Sequence, residues 1–280
     1  MTAAFRSDAV AALGDGGISV HARMRGVTRI YGDPASGVRA LAEIDLDLRR
    51  GEFYSVIGPS GCGKSTLLDV LAGLSRPTTG TVEFEGRVLD GVPDGIGVVF
   101  QEDASFAWLT VSDNIAFGLR RAGVDPADVA RRLDYALRLM GLVDFAKSYP
   151  AQLSGGMRQR VCIARTLVMQ PRMILLDEPF GALDAQTRLI MGDELLKVWR
   201  ETGATVLLIT HALDEAAMLS DRIGIMSARP GRIIEEVVTH WPRERDSRIA
   251  AEHSFGDVTT RLWSVLREES LKSVRQGGGV

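Results

Sequence analysis

Four short stretches, residues 54–57, 96–100, 173–176 and 206–209, are apolar without alternation. Runs of that length with no polar face predict strands buried on both sides, as in a parallel sheet covered by helices. Residues 43–48 and 81–85 alternate polar and apolar positions instead. That period predicts strands with one wet face, the second following the turn residues Pro77, Thr78, Thr79 and Gly80. These two are expected to form a small antiparallel layer at the edge of the domain. Helical spacing lies between the buried strands. Leu67, Leu68, Leu71 and Leu74 share one face, as do Met157, Val161, Ala164 and Val168. Strands alternating with helices place the chain in the α/β class, with a mainly parallel sheet.

The strand pattern stops between Gln101 and Leu153. Asp125-Pro126 suits a helix start, Val129, Leu133, Ala136 and Met140 fall on one face, and Gly141 suits the stop. An inserted helical lobe over about residues 104–154 is expected, within a domain spanning 21–240. Residues 1–20 are rich in Ala, Gly and Asp and are expected to be flexible. Residues 241–280 carry Trp241-Pro242 and then an amphipathic pattern through Val258, Leu262 and Leu266, expected to be a helical extension capping the domain's own surface.

Composition narrows the class of partner. The chain has 280 residues, 45% of them apolar and 25% charged, with a formal net charge of −3. No basic excess points to nucleic acid. Cys62 and Cys162 show no metal-ligand spacing, and so few cysteines suit a reducing compartment. No apolar run approaches the roughly 18 residues that cross a bilayer, and residues 1–17 lack the pattern of a secretory signal. The protein is therefore expected on the cytoplasmic side, with any membrane role passing through a partner.

Gly58-Pro59-Ser60-Gly61-Cys62-Gly63-Lys64-Ser65 fits G-x-x-x-x-G-K-[ST] between an apolar run and a leucine-faced helix. Glycines let successive N–H groups converge on phosphate oxygens at a helix N-terminus. Lys64 would reach the β- and γ-phosphates of ATP, the Ser65 hydroxyl would hold Mg2+, and Thr66 extends the nucleotide-binding set. Cys62 lies within this loop, so its alkylation is expected to inactivate. The apolar run at 173–176 ends in Asp177-Glu178. A carboxylate at that strand end places Asp177 beside the metal, and Glu178 could polarise a water in line with the γ-phosphate.

Leu153-Ser154-Gly155-Gly156 precedes a helical pattern about twenty residues before Asp177. Ser154, Gly155 and Gly156 offer a hydroxyl and bare N–H groups at a helix N-terminus, a second anion site. With this segment the chain resembles the ATP-binding-cassette (ABC) ATPases, whose signature it matches. The resemblance covers roughly residues 21–235. It implies that the second site serves ATP bound to another subunit, so that two chains clamp two ATP molecules head to tail. It also implies that Gln101 senses Mg2+ and the attacking water, that Asp184 links the two composite sites, that His211 contacts the γ-phosphate, and that the Tyr31 ring stacks on adenine. Met157 stands where many members have glutamine, and Ala107 where relatives more often have proline before Trp108.

Within the family, a cassette without a fused membrane domain resembles an importer subunit. Residues 99–103, 177–188 and 227–232 are similar to the nitrate/sulfonate/taurine group, which pairs such an ATPase with a permease and a solute-binding protein. This implies an ATP-driven homodimer on the cytoplasmic face of the cell membrane, bound to integral permease subunits. Phe106, Trp108 and Leu109 would line the groove that receives a permease helix, the alternative being ordinary packing within the lobe. Two further alternatives are a soluble cassette ATPase acting on nucleic acid or ribosomes and a P-loop phosphotransferase. The second has no use for residues 153–156.

Overall fold

The four non-alternating runs lie side by side. In a computed structural model describing residues 19–33, 36–102 and 104–277, they become β3 (Phe53–Ile57), β6 (Ile96–Val99), β7 (Met173–Asp177) and β8 (Thr205–Ile209). With β9 (Arg222–Met226) and β10 (Ile233–Val238) they form a six-stranded sheet in the order β10-β9-β3-β8-β7-β6. Only β10 runs antiparallel to its neighbour.

Both faces of this sheet are buried. Phe53, Ile57, Ile174, Leu176, Val206 and Leu208 enter one apolar cluster, while Tyr54, Val56, Met173, Leu175, Leu207 and Ile209 enter another. Successive side chains point to opposite faces, so a strand covered on both sides is apolar at most positions, and the buried Ser55 and Thr205 are hydrogen-bonded to Ser220 and His21.

The second cluster is closed by α1 (Lys64–Leu71) and by an antiparallel sheet. That sheet consists of β1 (Val20–Tyr31), β2 (Val38–Arg49), β4 (Thr79–Phe84) and β5 (Arg87–Val88), in the order β2-β1-β4-β5. The alternation read in residues 43–48 holds, with Ile44, Leu46 and Leu48 buried. One helical expectation fails: Leu74 lies beyond the end of α1 and is exposed, because the chain leaves the helix through Gly73 at φ +72.

The helical lobe is built from α2 (Val111–Arg121) and α3 (Pro126–Leu139), both packed on α4 (Gly155–Leu167). Asp125 caps α3 by accepting from the Ala127 N–H, and Pro126 opens it. The chain then turns at Gly141, φ +61. On the other flank lie α5 (Ala185–Thr202), α6 (Leu213–Leu219) and α7 (His253–Gly277). Phe255 and Leu262 of α7 are buried in the first cluster, and α7 packs on α6 and β9. The expected flexible segment at 1–20 lies outside the described residues as far as residue 18, as does Asp103. Among the described residues no helix is long and apolar enough to cross a membrane.

Candidate functional site

The phosphate loop joins β3 to α1 at the C-terminal edge of the parallel sheet, where β7 also delivers its carboxylates. Gly63 takes φ +111 at the head of α1, a conformation closed to L side chains, and a Cβ there would meet the Ala40 carbonyl at 2.7 Å. Lys64 is buried and folds back over the loop, donating to the carbonyls of Gly58 at 2.8 Å and Pro59 at 3.0 Å. Tyr31, Ser60, Gly61, Gly63, Lys64, Ser65, Thr66, Gln101 and Glu178 line one open cleft.

Asp177 is buried, with one carboxylate oxygen, Oδ1, that has no hydrogen-bond partner. Burial pushes its carboxyl above the usual range and the neighbouring Glu178 charge adds to this, while the Ser65 hydroxyl bonded to it pulls the other way. An orphaned buried oxygen beside a hydroxyl is a place where a cation is wanted. Among the described residues no three His, Cys, Asp or Glu side chains cluster as a metal cage. One carboxylate, one hydroxyl and one amide suit Mg2+, which fills its remaining positions with waters and phosphate oxygens. Ser65, Asp177 and Gln101 therefore fit the ion.

Glu178 stands at the mouth of the cleft with φ +46, the left-handed region. Such a backbone costs about 1–2 kcal/mol for a non-glycine residue, which the β7 edge and the following turn must hold. Its Oε2 accepts from Gln101 Nε2 at 3.5 Å and lies 3.0 Å from His211 Nδ1. His211 Nε2 has no partner among the described residues. Three residues separated by more than thirty positions each in sequence thus meet around one carboxylate.

Tyr31 is 42% exposed at the rim, its hydroxyl 3.4 Å from Thr66 Oγ1, with the Arg29 guanidinium 4.7 Å from the ring centroid. One face of the ring is thus already engaged by a cation.

The remaining expected residues lie elsewhere. Ser154 caps α4, its hydroxyl accepting from the Met157 N–H at 3.3 Å, and neither it nor Gly155 nor Gly156 lines the cleft. Gly156 instead sits against Leu183, whose Cδ2 an added methyl would meet at 2.6 Å. Asp184 caps α5, accepting from the N–H groups of Gln186 and Thr187 and from the Thr187 hydroxyl. Its carboxyl is held below the usual range by that hydroxyl first.

Cys62 is less accessible than its place in the loop suggests. It is 1% exposed, packed under the loop beside Gly58, and burial raises its thiol pKa. A buried neutral thiol is a poor nucleophile, so alkylation should be slow, and inactivation should follow that slow time course. The turn before Trp108 needs no proline. Buried Asn114 accepts from the Phe106 N–H and donates to the carbonyls of Phe106, Leu109 and Thr110. This staple leaves Trp108 73% exposed beside Phe106, whose ring also packs on Phe117.

Val38, Ala40 and Arg229 also line the cleft, and the sequence reading missed them. Val38 and Ala40 follow no motif. Arg229 stands in the stretch 227–232, which was read only as a mark of resemblance.

Residues 41–181 match the ABC transporter family. The chain is 48% identical over 199 residues to a taurine import ATP-binding protein of Pelagibacter ubique, covering 71% of this chain and 75% of that protein. It is 38% identical over 254 residues to a nitrate import ATP-binding protein of Synechocystis, covering 89% and 96% respectively. A solved dimeric ATP-binding cassette in a post-hydrolysis state, bound to ADP and Pi, superposes with a TM-score of 0.71. That match has 33% identity and covers 78% of this chain and 98% of the other.

Proposed function

This chain belongs to the ABC transporter family, and we propose that it is the subunit whose ATP hydrolysis powers import of a small anionic or zwitterionic solute of the nitrate, sulfonate or taurine kind. The observation that carries the reading is the meeting of Gln101, Glu178 and His211 at the mouth of the phosphate-loop cleft. The taurine and nitrate import relatives support the solute class. The alternative of a cassette acting on nucleic acid or ribosomes has no support among them.

Phosphoryl transfer asks mainly for positioning and charge stabilisation. Gly58, Pro59, Ser60, Gly61, Cys62 and Gly63 supply the loop, Lys64 the cation on the β- and γ-phosphates, and Tyr31 and Thr66 the rim. Ser65, Asp177 and Gln101 would hold Mg2+, which neutralises charge on the phosphate oxygens. Glu178 takes a proton from the attacking water, while His211, tied to it through Nδ1, presents Nε2 to the γ-phosphate. Ser154, Gly155 and Gly156, outside their own chain's cleft, are available to ATP held by a second copy, and Asp184 lies beside them through the Leu183–Gly156 contact. The dimeric cassette supports that pairing.

Residues 21–240 act as the ATPase domain, with 104–154 as its helical lobe and 241–280 as an extension. Phe106, Trp108 and Leu109 would receive a cytoplasmic helix of the permease, so the subunit works peripherally at the membrane's cytoplasmic face, with the solute-binding protein reached only through the permease. The test is a tagged pull-down from detergent-solubilised host membranes. A polytopic permease should co-purify in near one-to-one ratio, and Trp108→Ala should lower the yield. Recovery with ribosomes or DNA-bound proteins alone would reject the transport reading and leave the ATPase intact.

A further inference from the structure

The cleft contains a second cation. Arg229 follows β9, and its Nε donates to the Gly61 carbonyl at 3.2 Å, in the middle of the phosphate loop. Among the described residues no carboxylate pairs with its guanidinium. An arginine fixed by one N–H and exposed in an anion cleft keeps the rest of its donor fork for a ligand, and that fork fits phosphate oxygens.

The segment carrying Arg229 is held on three sides. Gly231 donates to the Ala40 carbonyl and accepts from the Ala42 N–H, both at 2.9 Å. An added Cβ at Gly231 would collide with the Cys62 carbonyl, so this turn lies directly on the phosphate loop. Within the turn, Ser227 and Arg232 exchange backbone and hydroxyl bonds. The third side is α7. Buried Glu269 accepts from the Ala228 N–H at 2.8 Å and from Lys272 at 2.5 Å. The residue next to Arg229 is thus anchored by a carboxylate from the C-terminal helix.

We propose that Arg229 is a nucleotide-contacting residue that binds ATP phosphate oxygens beside Lys64, and that Glu269 of the C-terminal helix is the positioning residue that holds it there. This rests on the reading of the cleft as the ATP site. It gives the extension a task in nucleotide affinity besides covering apolar surface.

The test is binding of a fluorescent N-methylanthraniloyl ATP to the full-length protein, with melting temperature measured on every variant. Arg229→Ala should weaken binding about 10-fold, the scale of a charge-assisted hydrogen bond, and Arg229→Lys should restore part of it. Glu269→Ala should weaken binding similarly, whereas Glu269→Gln keeps an acceptor for the Ala228 N–H and should stay near wild type. In the Arg229→Ala background, Glu269→Ala should add no further loss, because it acts through the residue already removed.

Unchanged affinity in Arg229→Ala, alongside binding lost in Lys64→Ala, would overturn the inference alone. A full additional loss in the double variant would overturn the positioning role of Glu269. Failure of the wild type to bind, or undiminished binding in Lys64→Ala, would overturn the cleft as the ATP site.

Discussion

Asp177 shows how a residue can be unfavourable to the free fold and still suit the chemistry proposed for it. Its carboxylate is buried, with one oxygen unpartnered and Glu178 beside it. A carboxyl raised above its unfolded value binds its proton more tightly in the folded chain. The metal-free protein therefore loses stability from this group as pH rises out of the carboxylate range. Asp177→Asn removes that charge without changing shape. We expect it to melt at or above the wild-type temperature at pH 7 without nucleotide and Mg2+, while ATPase activity falls by about 100-fold or more. A lower melting temperature with normal hydrolysis would contradict both halves of the argument. Ser154 and Asp184 also serve twice, since each caps a helix as well as carrying a proposed inter-subunit role. Loss of such a cap costs about 1 kcal/mol, so activity changes in their variants need a stability control.

At the scale of elements, His21 joins the two sheets. It sits in β1, buried, with Nδ1 2.5 Å from the Thr205 hydroxyl of β8 and Nε2 3.4 Å from Glu85. Burial first, then the Arg50 charge, lower its pKa from 6.5 to about 4, against the pull of Glu85. Between those values the unfolded chain holds a proton that the folded chain lacks. The contribution is complete above pH 6.5 and is lost as pH falls towards 4. The shift sets an upper limit of about 3 kcal/mol on this term. Urea melts from pH 4 to 7 should show a smaller acid loss in His21→Gln than in wild type; parallel pH profiles would refute the assignment.

The same β1 was invisible to pattern reading, and the reason is geometric. Ala22 and Met24 face inward, but the register shifts between Met24 and Val27, with Gly26 at φ +54. The bulge resets the period of two, so no single alternation spans the strand. β2 and β4 kept their phase over the residues that matter, and were legible.

For the whole molecule, the expectation is a cycle of association. The signature residues lie outside the cleft of their own chain, and in the proposed function a second copy in opposite orientation completes the site with them. Glu178→Gln keeps the shape of the site and, in the proposed mechanism, should slow hydrolysis. With saturating ATP and Mg2+ it should run as a dimer in size-exclusion chromatography with light scattering, and as a monomer with ADP. A variant that remains monomeric in ATP would remove the head-to-tail clamp.

The sequence by itself determined the elements whose chemistry is local: the phosphate loop, the buried strands flanking it, the helix opened by Asp125-Pro126, and the signature segment. Each is written in consecutive residues, because backbone conformation and burial on both faces act over a few positions. Only the tertiary structure decided what meets across distance. It gathered Gln101 and His211 onto Glu178, buried the Cys62 thiol under its own loop, held the turn before Trp108 with Asn114, and set Arg229 on the phosphate loop with Glu269 of α7 anchoring its neighbour Ala228. These contacts depend on how layers stack and where loops return, and no short-range periodicity encodes that.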